Sequence, residues 1–156
     1  MRRRTLIAAA PLLLFLPRVW AHHGWSSFDQ SRPIYLEGTA AKVMWRNPHA
    51  EIELELAPDL KVPPDLASRK PPAQTAPVEG VALLRTAQVP TRKDKRWEIE
   101  LAPLSRMSAW KVPEIQIGDR LALVGFTTQA EQGEPVLRVE YLLYKDGVYG
   151  LRSSPA

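Results

Sequence analysis

The chain has no cysteine in its 156 residues. Disulfide bonds, thiolate metal sites and cysteine nucleophiles are therefore excluded. The sequence also lacks a glycine-rich phosphate loop, a Gly-x-Ser-x-Gly nucleophile elbow and a His-Glu-x-x-His zinc motif. These patterns are common sequence signals of enzymes, so an enzyme is the least favoured function.

No apolar run reaches the ~20 residues that span a bilayer. The longest, residues 6–16, follows three arginines at 2–4 and precedes Val19 and Ala21. A basic start, a short apolar run and small residues at the end predict a secretory signal peptide at 1–21. We expect cleavage after Ala21 and a periplasmic or secreted protein. The general secretory route and the twin-arginine route both remain open.

The charge balance changes if this segment is removed. Four of the 21 basic residues precede position 22, whereas all 17 acidic residues follow it. The mature chain therefore carries equal numbers of basic and acidic side chains. Phosphate affinity depends on an excess of Lys and Arg, so no nucleic-acid partner is expected.

The apolar pattern of the mature chain favours β-strands. Period-two alternation is clearest in residues 49–56 and 96–101, which are predicted to pair. A shift of the apolar phase near Gly38 predicts a bulge or bend in the first strand. The predicted strands are residues 34–45, 49–56, 96–101, 120–126, 136–144 and 148–151, with a short helical turn at 104–107.

This arrangement predicts an all-β domain over residues 22–156, a small OB-like β-barrel of five to six strands with one short helix. An open sandwich of the same strands is the alternative. Residues 58–95 hold seven of the fifteen prolines. They are predicted to be a Pro-rich surface insertion that contributes little to the core.

Four motifs resemble a family of small exported bacterial proteins catalogued as a domain of unknown function. They are His22-His23 after the signal, the Asn47-Pro48-His49 turn, Gly118-Asp119 before strand four and the Asp146-Gly147 hairpin. The resemblance covers nearly the whole mature chain except residues 58–95. It implies export and a compact β fold, and it implies no activity.

The three histidines, His22, His23 and His49, are the candidate metal ligands. A chain cut after Ala21 begins with His22, whose amino and ring nitrogens can chelate a metal. A third nitrogen from His49 completes a T-shaped set that suits Cu(II) and resembles the histidine brace of copper proteins in its chemistry. His23 is a competing ligand, and it would be third from the terminus if cleavage fell before Ala21.

A plainer interpretation leaves the two N-terminal histidines as a solvated tail and His49 as a cap of its turn. In the metal interpretation, residues 22–31 are expected to fold back beside the first strand, since ten extended residues reach ~30 Å. Trp25, Trp45 and Asn47 are then predicted to line the site. Aromatic residues of small barrels more often pack in the core, and Trp97 is predicted to do so.

Five glutamates are predicted to share one face of adjacent strands: Glu51, Glu53, Glu55, Glu98 and Glu100. Like charges that face each other destabilise a sheet, so basic partners are expected. The insertion offers Arg69, Lys70, Arg85, Arg92, Lys93 and Lys95.

Two functions follow. One is an exported binding protein that holds copper through His22 and His49. The other is a metal-free periplasmic interaction module that binds a protein or saccharide through its sheet face and Pro-rich loop.

Overall fold

A computed structural model of the protein describes residues 24–156. The strands are β1 (Ile34–Met44), β2 (Glu51–Leu56), β3 (Arg96–Glu100), β4 (Arg120–Phe126), β5 (Val136–Tyr144) and β6 (Gly147–Gly150). The helices are α1 (Gly80–Thr86) and α2 (Leu104–Ala109), with 3₁₀ turns at Trp25–Ser27, Leu66–Ser68 and Gln129–Glu131. No helix in this described range is long and apolar enough to cross a membrane.

Five of the strands close into a barrel. The sheet order is β3-β2-β1-β4-β5-β6, and a parallel ladder between β3 and β5 joins the two ends of the five-stranded part. β6 pairs with the second half of β5. A mixed five-stranded barrel with a helix between its third and fourth strands has the OB-like arrangement, which confirms the predicted fold class.

β1 is the longest strand, with 11 residues, and it pairs with two different strands. Its first half pairs with β4 and its second half with β2, and the β1–β2 register shifts between Ala40 and Lys42. The predicted irregularity is therefore present at Ala41, three residues beyond Gly38. Gly38 has its own role, because a Cβ there would lie 2.1 Å from the carbonyl oxygen of Glu55.

The main core fills the barrel with the inward phase of each strand. Alternation in β2 and β3 directs Ile52, Leu54, Trp97 and Ile99 inward, and all four are buried. Trp97 is fully buried, as predicted. α2 follows Pro103 and adds Met107 to the same core.

Part of residues 58–95 packs against the barrel, which the sequence analysis did not predict. Leu66 and Leu84 are fully buried in a second cluster outside the barrel, against Tyr35, Val124 and Tyr141. Full burial of a leucine stabilises the fold by ~1.5–3 kcal/mol. The apolar spacing within this segment was too irregular to reveal that it packs.

Backbone and carboxylate contacts also tie this segment to the barrel. The Tyr35 amide donates to the carbonyl of Gln88, and the Thr91 and Arg92 amides donate to the buried carboxylate of Glu131. Near its middle, Gln74 forms a β-bridge with Pro155. The segment therefore connects the barrel to the C-terminal residues.

Candidate functional site

His49 is the one predicted metal ligand within the described residues, and His22 and His23 lie outside them. It is half-buried, directly before β2, and follows a cis Asn47–Pro48 bond. The next residue fixes its position, because the Ala50 amide donates to Ala102 and the Ala50 carbonyl accepts from Leu101. The imidazole is therefore held at one end of the β2–β3 pair.

Arg138 connects His49 to β3. Its Nη2 lies 3.5 Å from His49 Nε2, and its Nη1 donates to Glu100 Oε2 at 3.0 Å. Glu100 and Arg138 are partners in the parallel β3–β5 ladder, which places their side chains together on the outer face. Only 9% of the Arg138 side chain and 4% of the Glu100 side chain are exposed, so this is a buried ion pair.

Trp25 lies against the same guanidinium. Its ring centroid is 5.1 Å from Cζ of Arg138 and 4.1 Å from Cζ of Arg152, and it meets the Phe126 ring edge-on at 6.3 Å. Cationic groups at these distances are attracted to the indole face. One guanidinium therefore separates Trp25, near the start of the described chain, from His49.

Residues 24–33, which we call the N-terminal arm, do not fold back beside β1 as expected. The Asp29 amide instead donates to Thr127 at 2.9 Å, and Phe28 forms a β-bridge with Thr128. The arm therefore runs beyond the end of β4 and reaches the outer face of β5. The turn at Ser31-Arg32-Pro33 brings the chain into β1, but the arm pairs with a different strand end.

Trp45 and Asn47 are placed differently from Trp25. Trp45 packs against the main core, and Asn47 is exposed in its turn. Trp25 and His49 both contact Arg138. The aromatic partner of Trp25 is Phe126. The structure therefore brings together His49 and Trp25, and the lining role of Trp45 and Asn47 stays a prediction.

The glutamates share one face, as the alternation predicted. Glu51 lies opposite Glu100, Glu53 opposite Glu98, and Glu55 opposite Arg96. For Glu53, Glu55 and Glu100 the basic partners lie outside residues 58–95, so the expectation that this segment supplies them was wrong for these three. The ion pairs are Lys42–Glu53, Arg96–Glu53, Arg96–Glu55 and Arg138–Glu100. Residues on neighbouring strands supply the cations for these three of the five glutamates, because the ladder already aligns them.

Glu98 keeps the least compensated charge of this face. Burial raises the pKa of Glu98 to about 7, and the neighbouring charges of Glu100, Glu51 and Glu134 act in the same direction. Its carboxyl group therefore exchanges a proton near neutral pH.

Two residues of this region were missed at the sequence level, Arg138 and Arg152. The signal for Arg138 was its place in the outward phase of the apolar β5 segment, beside the outward glutamates of β3. A charged residue in an otherwise buried strand needs a partner. Arg152 carried no such signal, because it follows β6 in an irregular segment.

Within residues 24–156, no group of three or more His, Asp or Glu side chains is arranged to hold a metal ion. Two of the three predicted ligands lie outside that range. The described part of the site therefore supplies one imidazole, a compensated guanidinium and an indole.

One comparison with known proteins bears on these residues. Residues 13–61 match the model of a family of unknown function (DUF6152). The matched stretch includes the three histidines, the N-terminal arm, β1 and β2, and it confirms the resemblance drawn from the sequence over this part. The searches of curated proteins and of solved structures gave no match.

Proposed function

We propose that the protein is an exported copper-binding module in which an N-terminal histidine and His49 hold Cu(II). The observation that carries the proposal is that Trp25 and His49 contact the same guanidinium, that of Arg138. His22 precedes Trp25 by three residues, and an extended chain reaches ~3.3–3.6 Å per residue. Three residues therefore give His22 a reach of up to ~11 Å from Trp25, which shares Arg138 with His49.

The donor set fits Cu(II). Cleavage after Ala21 gives His22 a free amino group, and an amine with two imidazoles provides three neutral nitrogen ligands. A guanidinium can only donate, so its contact with His49 favours a lone pair on Nε2. Copper would bind Nε2 of His49 and displace Arg138 Nη2. The two nitrogens are 3.5 Å apart, at the long limit of a hydrogen bond, so this contact is weak.

The carboxylate of Glu100 compensates the charge of Arg138 beside the proposed metal position. Glu100 accepts from Nη1 at 3.0 Å and keeps the pair neutral after Nη2 is released. The indole of Trp25 also holds the guanidinium in place. The pairing with Glu100 thus reduces the repulsion that the guanidinium would exert on a metal ion at His49.

Export is part of the same proposal. The mature chain is expected to start at His22, because Val19 and Ala21 provide the small residues of a cleavage site. Intact mass of the protein recovered from a bacterial periplasm tests this. A product that retains residues 1–21 contradicts both export and the N-terminal chelate.

Copper binding is tested by titration calorimetry on four proteins that start at or before His22. They are the native mature chain, a form extended by one Ala, His23→Ala and His49→Ala. Extension converts the amine into an amide, which binds metal only after losing its proton, so affinity should fall at least ~10-fold. His49→Ala should weaken binding similarly, His23→Ala less, and all affinities should fall below pH ~6.5. Equal affinities of the native and extended forms contradict the proposal.

A second candidate is the metal-free interaction module, and the observation that favours it is the outer face of β2 and β3. Glu53, Glu55 and Glu98 stand there partly or fully exposed. A basic protein segment would suit this face, since it supplies the cations that Glu98 lacks. If copper does not bind, association of the protein with a lysine-rich peptide at low salt tests this function, and Glu98→Gln should weaken it.

A further inference from the structure

Arg152 contacts the N-terminal arm at two points. Its Cζ lies 4.1 Å from the Trp25 ring centroid, and its Nη1 donates to Gln30 Oε1 at 2.9 Å. Gln30 in turn donates through Nε2 to the carbonyl of Trp25 at 3.3 Å. Arg152 therefore contacts both ends of the segment from Trp25 to Gln30.

A fully buried carboxylate fixes Arg152 itself. Glu140 has no exposed surface, and its Oε2 accepts from Nε of Arg152 at 2.7 Å. Its other oxygen accepts from Gln74 Nε2 at 3.0 Å. Both oxygens are occupied, and a buried carboxylate of this kind leaves its cation little freedom to turn.

The same network includes the C-terminal residues and residues 73–76. Gln74 Oε1 accepts from the Ser153 amide at 3.0 Å, and the Thr75 amide donates to Ser154. Residues 73–76, β5 and the C-terminal residues therefore meet around Glu140, and Arg152 connects this network to the indole of Trp25.

We infer that Arg152 is a positioning residue that fixes the N-terminal arm on the barrel through Trp25 and Gln30. This inference rests on the proposed copper site. An arm that is fixed presents His22 to His49 at high effective concentration, whereas a mobile arm must be ordered during binding. Arg152 acts through its contacts with Trp25 and Gln30.

The first test needs no metal. Amide hydrogen exchange of the native protein is compared with that of Arg152→Met, and with Glu140→Gln/Arg152→Met, in which the buried carboxylate is not left alone. The Phe28 and Asp29 amides, which donate to Trp25 and Thr127, should exchange at least ~10-fold faster in both variants. The control is Arg96→Met, which removes an arginine of β3 that is bonded to Glu53 and Glu55 of β2. Unchanged exchange in the arm of the double variant overturns the inference.

The second test is a double-mutant cycle in copper affinity. Arg152→Met should weaken Cu(II) binding ~10-fold in the native chain and have no effect in a His49→Ala background, because the His22 chelate then has no second imidazole to be held beside. Arg152→Lys, which keeps a cation beside Glu140 and Trp25, should restore part of the affinity. Equal losses in both backgrounds mean that Arg152 does not act by positioning.

The two proposals can fail separately. If the native protein binds no copper but the arm still loosens in the Arg152 variants, the copper function is wrong and the arm anchor stands. If copper binds with a native-like affinity to Glu140→Gln/Arg152→Met, the copper function stands and the positioning role is wrong.

Discussion

Glu98 lies directly opposite Glu53 in the β2–β3 ladder, and the pKa values of the two carboxyl groups shift in opposite directions. The hydrogen bond from Lys42, helped by Arg96, holds the pKa of Glu53 below its usual value. Burial and neighbouring glutamates raise that of Glu98 to about 7. One cross-strand pair thus contains a group with a lowered pKa and a group that titrates near neutrality.

Glu98→Gln should stabilise the protein above neutral pH. Because the folded-state pKa is raised, the proton on Glu98 favours the folded state fully below pH 4.5, and this contribution is lost as pH rises through about 7. Gln removes the cost of ionisation, which we expect to be ~1 kcal/mol at this half-exposed site, or ~2–5 °C in Tm. Thermal unfolding at pH 4.5 and 8.5 measures it. A gain at pH 4.5 as large as that at pH 8.5, or a similar gain from Glu55→Gln, contradicts the expectation.

Glu131→Gln should destabilise the protein at neutral pH and much less in acid. Burial acts to raise the pKa of Glu131, but the amides of Thr91 and Arg92 and the guanidinium of Arg32 outweigh it and hold the pKa below its usual value. Its stabilising contribution is therefore present above pH ~4.5 and is lost as pH falls through the folded-state pKa. Denaturant unfolding should show a loss of ~2–4 kcal/mol at pH 7 that shrinks at pH 3. Glu114→Gln, at an exposed position, is the control and should have little effect at either pH.

The pair of Glu100 and Arg138 should be worth far more to stability than the exposed pair of Glu53 and Arg96. Arg138→Met leaves the Glu100 carboxylate buried without its cation, which costs ~3–5 kcal/mol. Arg96→Met, in which 60% of the native side chain is exposed, should cost ~0–1 kcal/mol. Urea unfolding compares the two. The double variant Glu100→Gln/Arg138→Met should recover part of the loss, and no recovery would indicate that Arg138 acts through packing alone.

Leu84→Ala should destabilise the protein by ~2–5 kcal/mol, because the side chain is fully buried between α1 and the outer side of the barrel. Val81 lies on the same helix with half of its surface exposed, so Val81→Ala is the matched control and should cost less than ~0.5 kcal/mol. Equal effects in urea unfolding would mean that residues 58–95 contribute little to the core.

The barrel could be predicted from the sequence because its strands alternate or are bounded by clear turns. β4 and β5 have the expected bounds, and the outward glutamates share a face because period-two alternation fixes which side each residue takes. The packing of Leu66 and Leu84 could not be read in the same way, since short helical segments of seven residues or fewer give almost no period to measure.

The candidate site could be predicted only as a set of residue types. His49 and Trp25 were found because His and Trp are rare and stood in short motifs. Their common neighbour Arg138 lies 89 residues from His49, and its contact depends on the parallel β3–β5 ladder. Non-local pairing of this kind leaves no local pattern, and the same applies to Arg152, which lies 122 residues from Gln30.

The parallel ladder of β3 and β5 closes the barrel with three residue pairs, and its last pair is Glu100 with Arg138. Arg138, which contacts His49, therefore also forms an ion pair across the β3–β5 ladder, the shortest ladder of the closed barrel. Loss of this ion pair would therefore weaken the barrel at the junction where the fewest residue pairs hold it closed.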